Sequence, residues 1–166
     1  MIQSFLKIFL AILLLIVLND AKAQTPSPVI PEFTLYKFNK TAFAKKDVAK
    51  NRTSFFVFFD TECDHCRHGI QYINQHYSEL KKIPVYLISL DSKEKVNSFL
   101  GQYGKNLLNK KNILLLQDSK NEFIRKFSPR KYPSLFLYSD QQKLLLYDDD
   151  ETKLSIFFDK IKSVKK

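Results

Sequence analysis

The sequence predicts an α/β domain in which helices flank a central mixed β-sheet. Apolar runs of strand length alternate along the chain with stretches of helical periodicity, which is the order of elements found in α/β folds. The runs 54–60 (SFFVFFD) and 83–90 (IPVYLISL) are apolar almost throughout, as in strands buried on both faces. Two strand patterns, 134–138 and 143–147, follow each other without a helix between them. The sheet is therefore expected to be mixed.

The N-terminal segment 1–23 is typical of an export signal. One early cation, Lys7, precedes a charge-free apolar stretch at 8–18, and the segment ends in Ala-Lys-Ala. An apolar run of about a dozen residues is shorter than a stable transmembrane helix needs, so cleavage after Ala23 is expected. The alternative is an uncleaved N-terminal anchor. We therefore expect an exported protein of a bacterial periplasm, with membrane contact only if the segment stays attached.

The rest of the chain is expected to form one domain. Residues 24–32 are rich in Pro and are predicted to be a flexible lead, and residues 33–166 form the domain, which is long enough to bury a core without disulfide staples. The whole chain carries a formal net charge of +10. Its cations are scattered and include no arginine-rich tract, so no nucleic-acid partner is expected.

The remaining elements follow from periodicity. Further strands are predicted at 33–38, where apolar and polar residues alternate, and at 112–118. The lysine-rich segment 39–51 is predicted to be a polar helix or loop. A tight turn at 139–142 joins the last two strands. Helices are predicted at 63–81, 91–104, about 123–127 and 151–163.

The longer helices have clear signals. Asp91 or Ser92 is a suitable N-cap for the helix 91–104, and Gly104 is suited to its end. The first and last helices have apolar residues at helical spacing, which are Cys66, Ile70, Ile73, Tyr77 and Leu80 in the first and Leu154, Phe157, Phe158 and Ile161 in the last.

Both cysteines of the chain lie in the segment 60–68 (DTECDHCRH), between a predicted strand and a predicted helix. A bridge between Cys63 and Cys66 closes a loop of only a few residues, so it adds little stability and is better suited to a redox switch. Unpaired N–H groups and a partial positive charge at the helix start stabilise a thiolate there. Cys63 is therefore the expected nucleophile, and Cys66, one turn later, is expected to resolve the mixed disulfide.

Residues beside the cysteines are candidates for tuning this chemistry. His65, when protonated or donating a hydrogen bond, favours the thiolate and makes the disulfide easier to reduce. Glu62 and Asp64 act in the opposite electrostatic sense. The alternative for each is a solvated polar residue, which is also the expectation for His68.

Two stretches carry a family resemblance. FFVFFDTECDHC resembles the strand and active-site segment of the thioredoxin superfamily, and KYPSLFLYS resembles the segment that bears that family's cis-proline. Exported thioredoxin-like proteins of the TlpA type are most similar, because they combine a signal or anchor with an extra helix and strand between the two motifs. The resemblance covers roughly residues 30–164 and implies a thioredoxin-like fold.

The resemblance also implies roles for four residues. Cys63 is implied to be the exposed nucleophile and Cys66 the buried resolving thiol. The bond between Tyr132 and Pro133 is implied to be cis and to lie beside the disulfide, where it helps to hold an extended substrate backbone. No cofactor is implied beyond a redox-active disulfide between Cys63 and Cys66. The implied partners are protein thiols or disulfides and a redox partner that the sequence does not identify.

The sequence departs from the family pattern at two positions. Glu62 replaces the tryptophan that commonly precedes the first cysteine. Val57 replaces the buried acid that cytosolic thioredoxins use for proton transfer to the resolving thiol, and Glu62 is the candidate substitute for that acid. A peroxidase of the peroxiredoxin kind is disfavoured, because Asp60 stands where such enzymes need a threonine.

The leading hypothesis is an exported thiol:disulfide oxidoreductase that exchanges disulfides with protein substrates through its CxxC motif. One alternative is a copper or zinc binding or delivery protein in which Cys63, Cys66 and either His65 or His68 hold the ion. No fourth ligand is obvious, since the other histidine is His76 and the only methionine is the initiator. A further alternative is a thioredoxin-fold binding module whose cysteines are incidental.

Overall fold

The computed structural model describes residues 24–164 of the chain. The predicted export signal, 1–23, lies outside the described residues. Among the residues that the structure describes, no helix is long and apolar enough to cross a membrane.

Within residues 24–164, seven strands and five α-helices make up the domain. The strands are β1 (Thr34–Tyr36), β2 (Ala42–Ala44), β3 (Ser54–Phe58), β4 (Val85–Ser89), β5 (Ile113–Gln117), β6 (Ser134–Tyr138) and β7 (Leu144–Asp148). The helices are α1 (Asp64–Gln75), α2 (Tyr77–Leu80), α3 (Lys93–Tyr103), α4 (Glu122–Phe127) and α5 (Leu154–Ser163). Short 3-10 helices cover Lys45–Asp47, Lys105–Leu107 and Glu151–Lys153.

The strands form one mixed sheet in the order β2-β1-β5-β4-β3-β6-β7. The central strands β5, β4 and β3 are parallel, and the other neighbouring pairs are antiparallel. The predicted mixed sheet is therefore confirmed. Because parallel strands end at the same edge, α1, α3 and α4 all begin near the carboxyl ends of the strands that precede them, which is where α/β sheets form their sites.

Apolar side chains fill both faces of the sheet. Successive residues of a strand point to opposite faces, so Phe55 and Val57 join the apolar cluster that includes residues of α1 and α5. Phe56 and Phe58 join a second cluster that includes residues of α4. Burial on both faces explains why the sequence of β3 shows no polar alternation.

The segment 39–51 differs from the predicted polar helix or loop. It contains β2, which pairs antiparallel with β1, and a 3-10 helix. Phe43 is the centre of β2 and is 4% exposed. One buried side chain among lysines is too weak a pattern to indicate a strand of three residues.

The predicted helix 63–81 is divided into α1 and α2 at His76. The backbone of His76 has φ −99° and ψ 16°, which is outside the helical region. The ring of His76 stacks on that of Tyr72, with centroids 4.1 Å apart, and its Nδ1 lies 2.9 Å from the Tyr72 carbonyl oxygen. These contacts fix the break, while the apolar spacing continues through it.

The segment 24–32, predicted to be a flexible lead, packs against the domain instead. Ile30 has no exposed surface, and Val29 forms a β-bridge with Lys143. The backbone N–H of Ser27 donates to the carbonyl oxygen of Phe127 at 3.1 Å. Apolar residues between the prolines therefore attach this segment to the sheet.

Candidate active site

The two cysteines lie where β3 turns into α1. Cys63 is the N-cap of α1, and its Sγ accepts a hydrogen bond from the backbone N–H of Cys66 at 3.3 Å. That N–H is one of the donors that a helix start leaves without a partner inside the helix. The partly exposed Cys63 sulfur therefore lies where the helix stabilises negative charge, in the predicted strand-turn-helix arrangement.

Cys66 is one turn further along and has no exposed surface. The backbone N–H of Asp60 donates to its Sγ at 3.5 Å. Burial raises the pKa of the Cys66 thiol far above its usual range, and the Asp60 N–H opposes this effect only in part. The two thiols are therefore unequal, with one accessible and the other buried and protonated.

The loop before β6 closes the site from the other side. β3 and β6 are antiparallel neighbours with Phe58 opposite Ser134, so the residues before Ser134 lie beside those after Phe58. The Cys63 thiol donates to the carbonyl oxygen of Tyr132 at 3.8 Å. The bond between Tyr132 and Pro133 is cis, as the family resemblance implies. The structure thus brings the predicted nucleophile and the predicted substrate-binding loop together.

The Tyr132 side chain is half-buried and packs against the core beneath this loop. Its ring lies on that of Phe58, with centroids 4.8 Å apart. Burial, followed by the negative charges of Asp60 and Asp91, raises the pKa of Tyr132 to about 12. The hydroxyl is therefore protonated across the neutral range. A cavity of about 180 Å³ adjoins the ring and is lined by Phe58, Ile124, Pro129, Arg130, Lys131 and Tyr132.

The two acids predicted to tune the thiols form ion pairs at the surface. The Glu62 Oε1 lies 3.2 Å from the Lys95 Nζ, and the Asp64 Oδ1 lies 2.9 Å from the Arg67 Nη2. Exposed pairs of this kind contribute little to stability, because water screens the two charges. Because each acid has a cation beside it, its effect on the thiols is partly neutralised.

The position of Glu62 also bears on proton transfer. Glu62 was the candidate substitute for the missing buried acid, but its carboxylate is paired with Lys95. The carboxylate whose negative charge acts on the Cys66 thiol is that of Asp60, and it raises the pKa of this thiol. The neighbouring Cys63 sulfur acts in the same direction. Val57 is 2% exposed and contributes only apolar packing.

A 3-10 helix before α5 packs against α1 near the cysteines. The His65 Nδ1 lies 2.8 Å from the Oε1 of Glu151 in this segment. A Cβ added at Gly69 would lie 3.3 Å from the Glu151 Cβ and 4.0 Å from the Pro133 Cγ. Glycine at this position therefore permits the close approach of α1 to the 3-10 helix that carries Glu151, while the distance to Pro133 is an ordinary contact.

A cleft of about 380 Å³ opens beside Cys63, between α1 and α3. Charged and aromatic side chains share its walls. The lining residues are Thr61, Glu62, Cys63, Asp64, Arg67, Lys95, Ser98, Phe99, Gln102 and Tyr103.

The histidines do not complete a metal site in the described part of the chain. Within residues 24–164, no group of three His, Cys, Asp or Glu side chains is arranged to hold a metal ion. His65 contacts Glu151, His68 is exposed on α1, and His76 stacks on Tyr72.

Sequence reasoning missed a contact that fixes the turn before Cys63. Asp91 was a candidate N-cap of α3, but the cap is Ser92. The Asp91 Oδ2 instead accepts hydrogen bonds from the backbone N–H of Thr61 at 3.0 Å and from the Thr61 hydroxyl at 2.9 Å. The two residues are 30 positions apart, so no local pattern could have indicated the contact.

Comparison with known proteins identifies the family. The family model described as AhpC/TSA matches residues 27–146, which is more than half of the chain. The chain therefore belongs to the AhpC/TSA family of the thioredoxin superfamily. No curated protein sequence matches it.

Several solved structures are similar in fold. A secreted disulfide oxidoreductase of Mycobacterium tuberculosis, homologous to Escherichia coli DsbE, is 15% identical, with a TM-score of 0.62 over 77% of this chain and 95% of that chain. The thioredoxin domain of a Bacteroides vulgatus thiol-disulfide oxidoreductase is 18% identical, with a TM-score of 0.63 over 82% and 96%. Peroxidoxin BcpB of M. tuberculosis is 12% identical, with a TM-score of 0.66 over 85% and 97%.

At these identities the likeness shows the fold alone, and it confirms the predicted thioredoxin-like fold. Family, fold and thiol pair together define a thioredoxin-like redox enzyme with a CxxC pair formed by Cys63 and Cys66.

Proposed function

We propose that the protein is a thiol:disulfide oxidoreductase that exchanges disulfides with protein substrates. The observation that carries this proposal is the unequal pair of thiols. Cys63 is partly exposed at the start of α1, and the buried Cys66 lies one turn later with its N–H 3.3 Å from the Cys63 sulfur. One thiol is thus placed to attack a substrate and the other to resolve the product.

The exchange runs in two balanced steps. In the reducing direction, the Cys63 thiolate attacks one sulfur of a substrate disulfide, and the other substrate sulfur leaves as a thiolate. Cys66 then loses its proton and attacks the Cys63 sulfur. The bond between the two cysteines forms as the mixed disulfide breaks. The substrate leaves as a dithiol, having gained two electrons and two protons from the protein. The oxidising direction is the reverse of these steps.

The loop at Tyr132 supports the proposed protein substrate. Its backbone carbonyl lies 3.8 Å from the Cys63 sulfur. An extended peptide that pairs with this backbone would present its own sulfur close to the nucleophile. Two of the three structural neighbours above are disulfide oxidoreductases, which is consistent with this substrate class.

Reduction of insulin disulfides by dithiothreitol tests the proposal directly. The purified protein is expected to accelerate the reaction, and Cys63→Ser is expected to abolish the acceleration because the attacking thiol is lost. Wild-type turnover by Cys63→Ser would show that the nucleophile is assigned wrongly.

The same protein distinguishes the competing functions. Rapid dithiol-dependent consumption of hydrogen peroxide would favour a peroxidase, although Asp60 stands at the position of the expected threonine. Stoichiometric binding of zinc or copper(I) in equilibrium dialysis, lost in Cys63→Ser, would favour the metal alternative. Absence of both with active exchange supports the oxidoreductase.

We also propose that the protein acts after export, in the oxidising bacterial periplasm. The support is the sequence pattern of residues 1–23. N-terminal sequencing of protein recovered from the periplasm is expected to begin at Gln24. Recovery from the membrane fraction with residues 1–23 attached would indicate an anchor instead.

A further inference from the structure

One carboxylate joins the turn before Cys63 to the neighbouring strand. Asp91 follows β4, and its Oδ2 accepts both the backbone N–H of Thr61 at 3.0 Å and the Thr61 hydroxyl at 2.9 Å. The Ser89 hydroxyl donates to the same oxygen at 3.2 Å. Hydrogen bonds to an ionised acceptor are stronger than neutral ones, so three such donors fix the carboxylate in one orientation.

Asp91 is itself attached to the ends of two parallel strands. Its backbone N–H donates to the hydroxyl of Ser89, the last residue of β4, at 3.1 Å. Its carbonyl oxygen accepts from the Nε2 of Gln117, the last residue of β5, at 3.0 Å. Through Asp91, the position of Thr61 is therefore fixed relative to the ends of β4 and β5.

Apart from the exposed ion pair between Glu62 and Lys95, the other hydrogen bonds of the turn's backbone N–H groups are local. The backbone N–H of Glu62 donates to the Asp60 Oδ1 at 2.7 Å, and that of Cys63 donates to the Asp60 carbonyl oxygen at 3.4 Å. These bonds shape the turn but do not relate it to β4. The contact between Thr61 and Asp91 supplies that relation two residues before the nucleophile.

We propose that Asp91 is the positioning residue of the redox pair: by holding Thr61, it places Cys63 relative to Cys66 and so sets how readily their disulfide closes. A disulfide bond forms only within a narrow range of distances and dihedral angles. A fixed turn therefore raises the effective concentration of one thiol at the other. When Asp91 does not hold Thr61, the turn is free to move and the equilibrium shifts toward the reduced dithiol. The biological meaning of this inference rests on the proposed function, whereas its test concerns only the pair itself.

The experiment measures the equilibrium between the protein and glutathione. In this reaction the protein dithiol and glutathione disulfide give the protein disulfide and two molecules of glutathione. Asp91→Ala removes the acceptor of Thr61, and the equilibrium constant for disulfide formation is expected to fall by about tenfold, or about 30 mV for this two-electron couple. Asp91→Asn retains an oxygen that accepts from Thr61, and its constant is expected to stay within about threefold of the wild-type value.

Charge is the competing explanation. A carboxylate near thiols disfavours the thiolate, so loss of its charge would shift the equilibrium in the same direction as loss of position. Equal shifts in Asp91→Asn and Asp91→Ala would overturn the proposal, because both variants lack the charge and only one lacks the acceptor.

Asp118→Asn is the matched control. Asp118 follows β5 at the same edge of the sheet and accepts the backbone N–H of Glu122 at 2.7 Å and of Phe123 at 2.9 Å at the start of α4. Its substitution is expected to lower Tm and to leave the equilibrium constant unchanged. A shift as large as that of Asp91→Ala would overturn the positioning role.

Thr61→Val keeps the proposal testable even if Asp91→Ala does not fold. It removes the hydroxyl contact and keeps the backbone contact, so the constant is expected to fall by about threefold. A wild-type constant in Thr61→Val and in every folded Asp91 variant overturns the positioning role and leaves the oxidoreductase proposal intact. Failure of the wild-type pair to form a disulfide at all overturns both.

Discussion

The Cys63 sulfur lies 3.8 Å from the carbonyl oxygen of Tyr132, although the two residues are 69 positions apart. The antiparallel pairing of β3 with β6 produces this contact, because the turn after β3 and the loop before β6 meet at one edge of the sheet. A peptide bound along the loop would therefore lie beside the Cys63 sulfur, the proposed nucleophile. The sheet, together with the CxxC motif, creates a site suited to disulfide exchange.

Cys66→Ser is expected to accumulate mixed disulfides with partner proteins in cells. Cys63 still attacks a substrate disulfide, but the thiol that resolves the product is absent. Acid quenching followed by non-reducing electrophoresis measures the trapped species. Cys63→Ser is the control and is expected to trap none. A well-expressed Cys66→Ser protein without trapped partners would contradict the exchange mechanism.

The reduced protein is expected to lose stability as the pH rises above about 9. Burial raises the pKa of Cys66 from its ordinary value of 9.0, so above that pH the unfolded state gives up a proton that the native state retains. The free energy of unfolding then falls with pH, by up to about 1.4 kcal/mol per pH unit for one group. Below pH 9.0, the ordinary pKa that the thiol has in the unfolded state, the contribution of Cys66 to the free energy of unfolding is fully present and constant.

Urea unfolding of the reduced protein at about pH 8 and about pH 10 measures this effect. Cys66→Ala is the control, and its loss of stability over this interval is expected to be smaller than that of the wild type. Tyr132 also has a raised pKa and gives both proteins the same decline above its own ordinary value of 10.0. Equal pH profiles for the two proteins would show that the Cys66 thiol is not the group responsible.

Gly69→Ala and Gly101→Ala are expected to change stability in different ways. Alanine in a helix interior usually stabilises by about 0.5–1 kcal/mol relative to glycine. Gly101, in α3, has open space around the added Cβ and is expected to show this gain. Gly69, in α1, is expected to show no gain or a net loss, because its Cβ would lie 3.3 Å from the Glu151 Cβ. Denaturant midpoints compare the two, and an equal gain at both positions would contradict the tight packing of α1.

His65→Gln is expected to make the disulfide harder to reduce. A protonated imidazole near the helix start favours the thiolates of the reduced form, and glutamine removes that charge. The shift in the glutathione equilibrium is expected to be less than about tenfold, because His65 is exposed and its charge is partly neutralised by Glu151. His68→Gln is the control, and an equal shift there would remove the special role of His65.

Local patterns predicted most of the elements. The buried strands expected at 54–60 and 83–90 are β3 and β4, because an unbroken apolar run is sufficient to indicate burial on both faces. The break at His76 and the strand β2 were missed. Both depend on single side chains, and one side chain does not change the periodicity of a segment.

The sequence by itself determined the chemistry that lies within a few residues. A buried strand, a turn and a CxxC at a helix start follow from hydrogen bonding and periodicity that act over one or two turns of chain. These features placed Cys63 at the start of the helix, where the structure has it as the N-cap, and Cys66 on the apolar face of α1.

Only the tertiary structure decided which distant groups complete the site. Tyr132 beside Cys63, Asp91 on Thr61 and Glu151 on His65 are separated by 69, 30 and 86 positions. These contacts depend on the order of strands in the sheet and on how α5 covers it. Strand order and helix packing are set by burial of apolar surface summed over the whole domain, so no short stretch of sequence contains the information that specifies them.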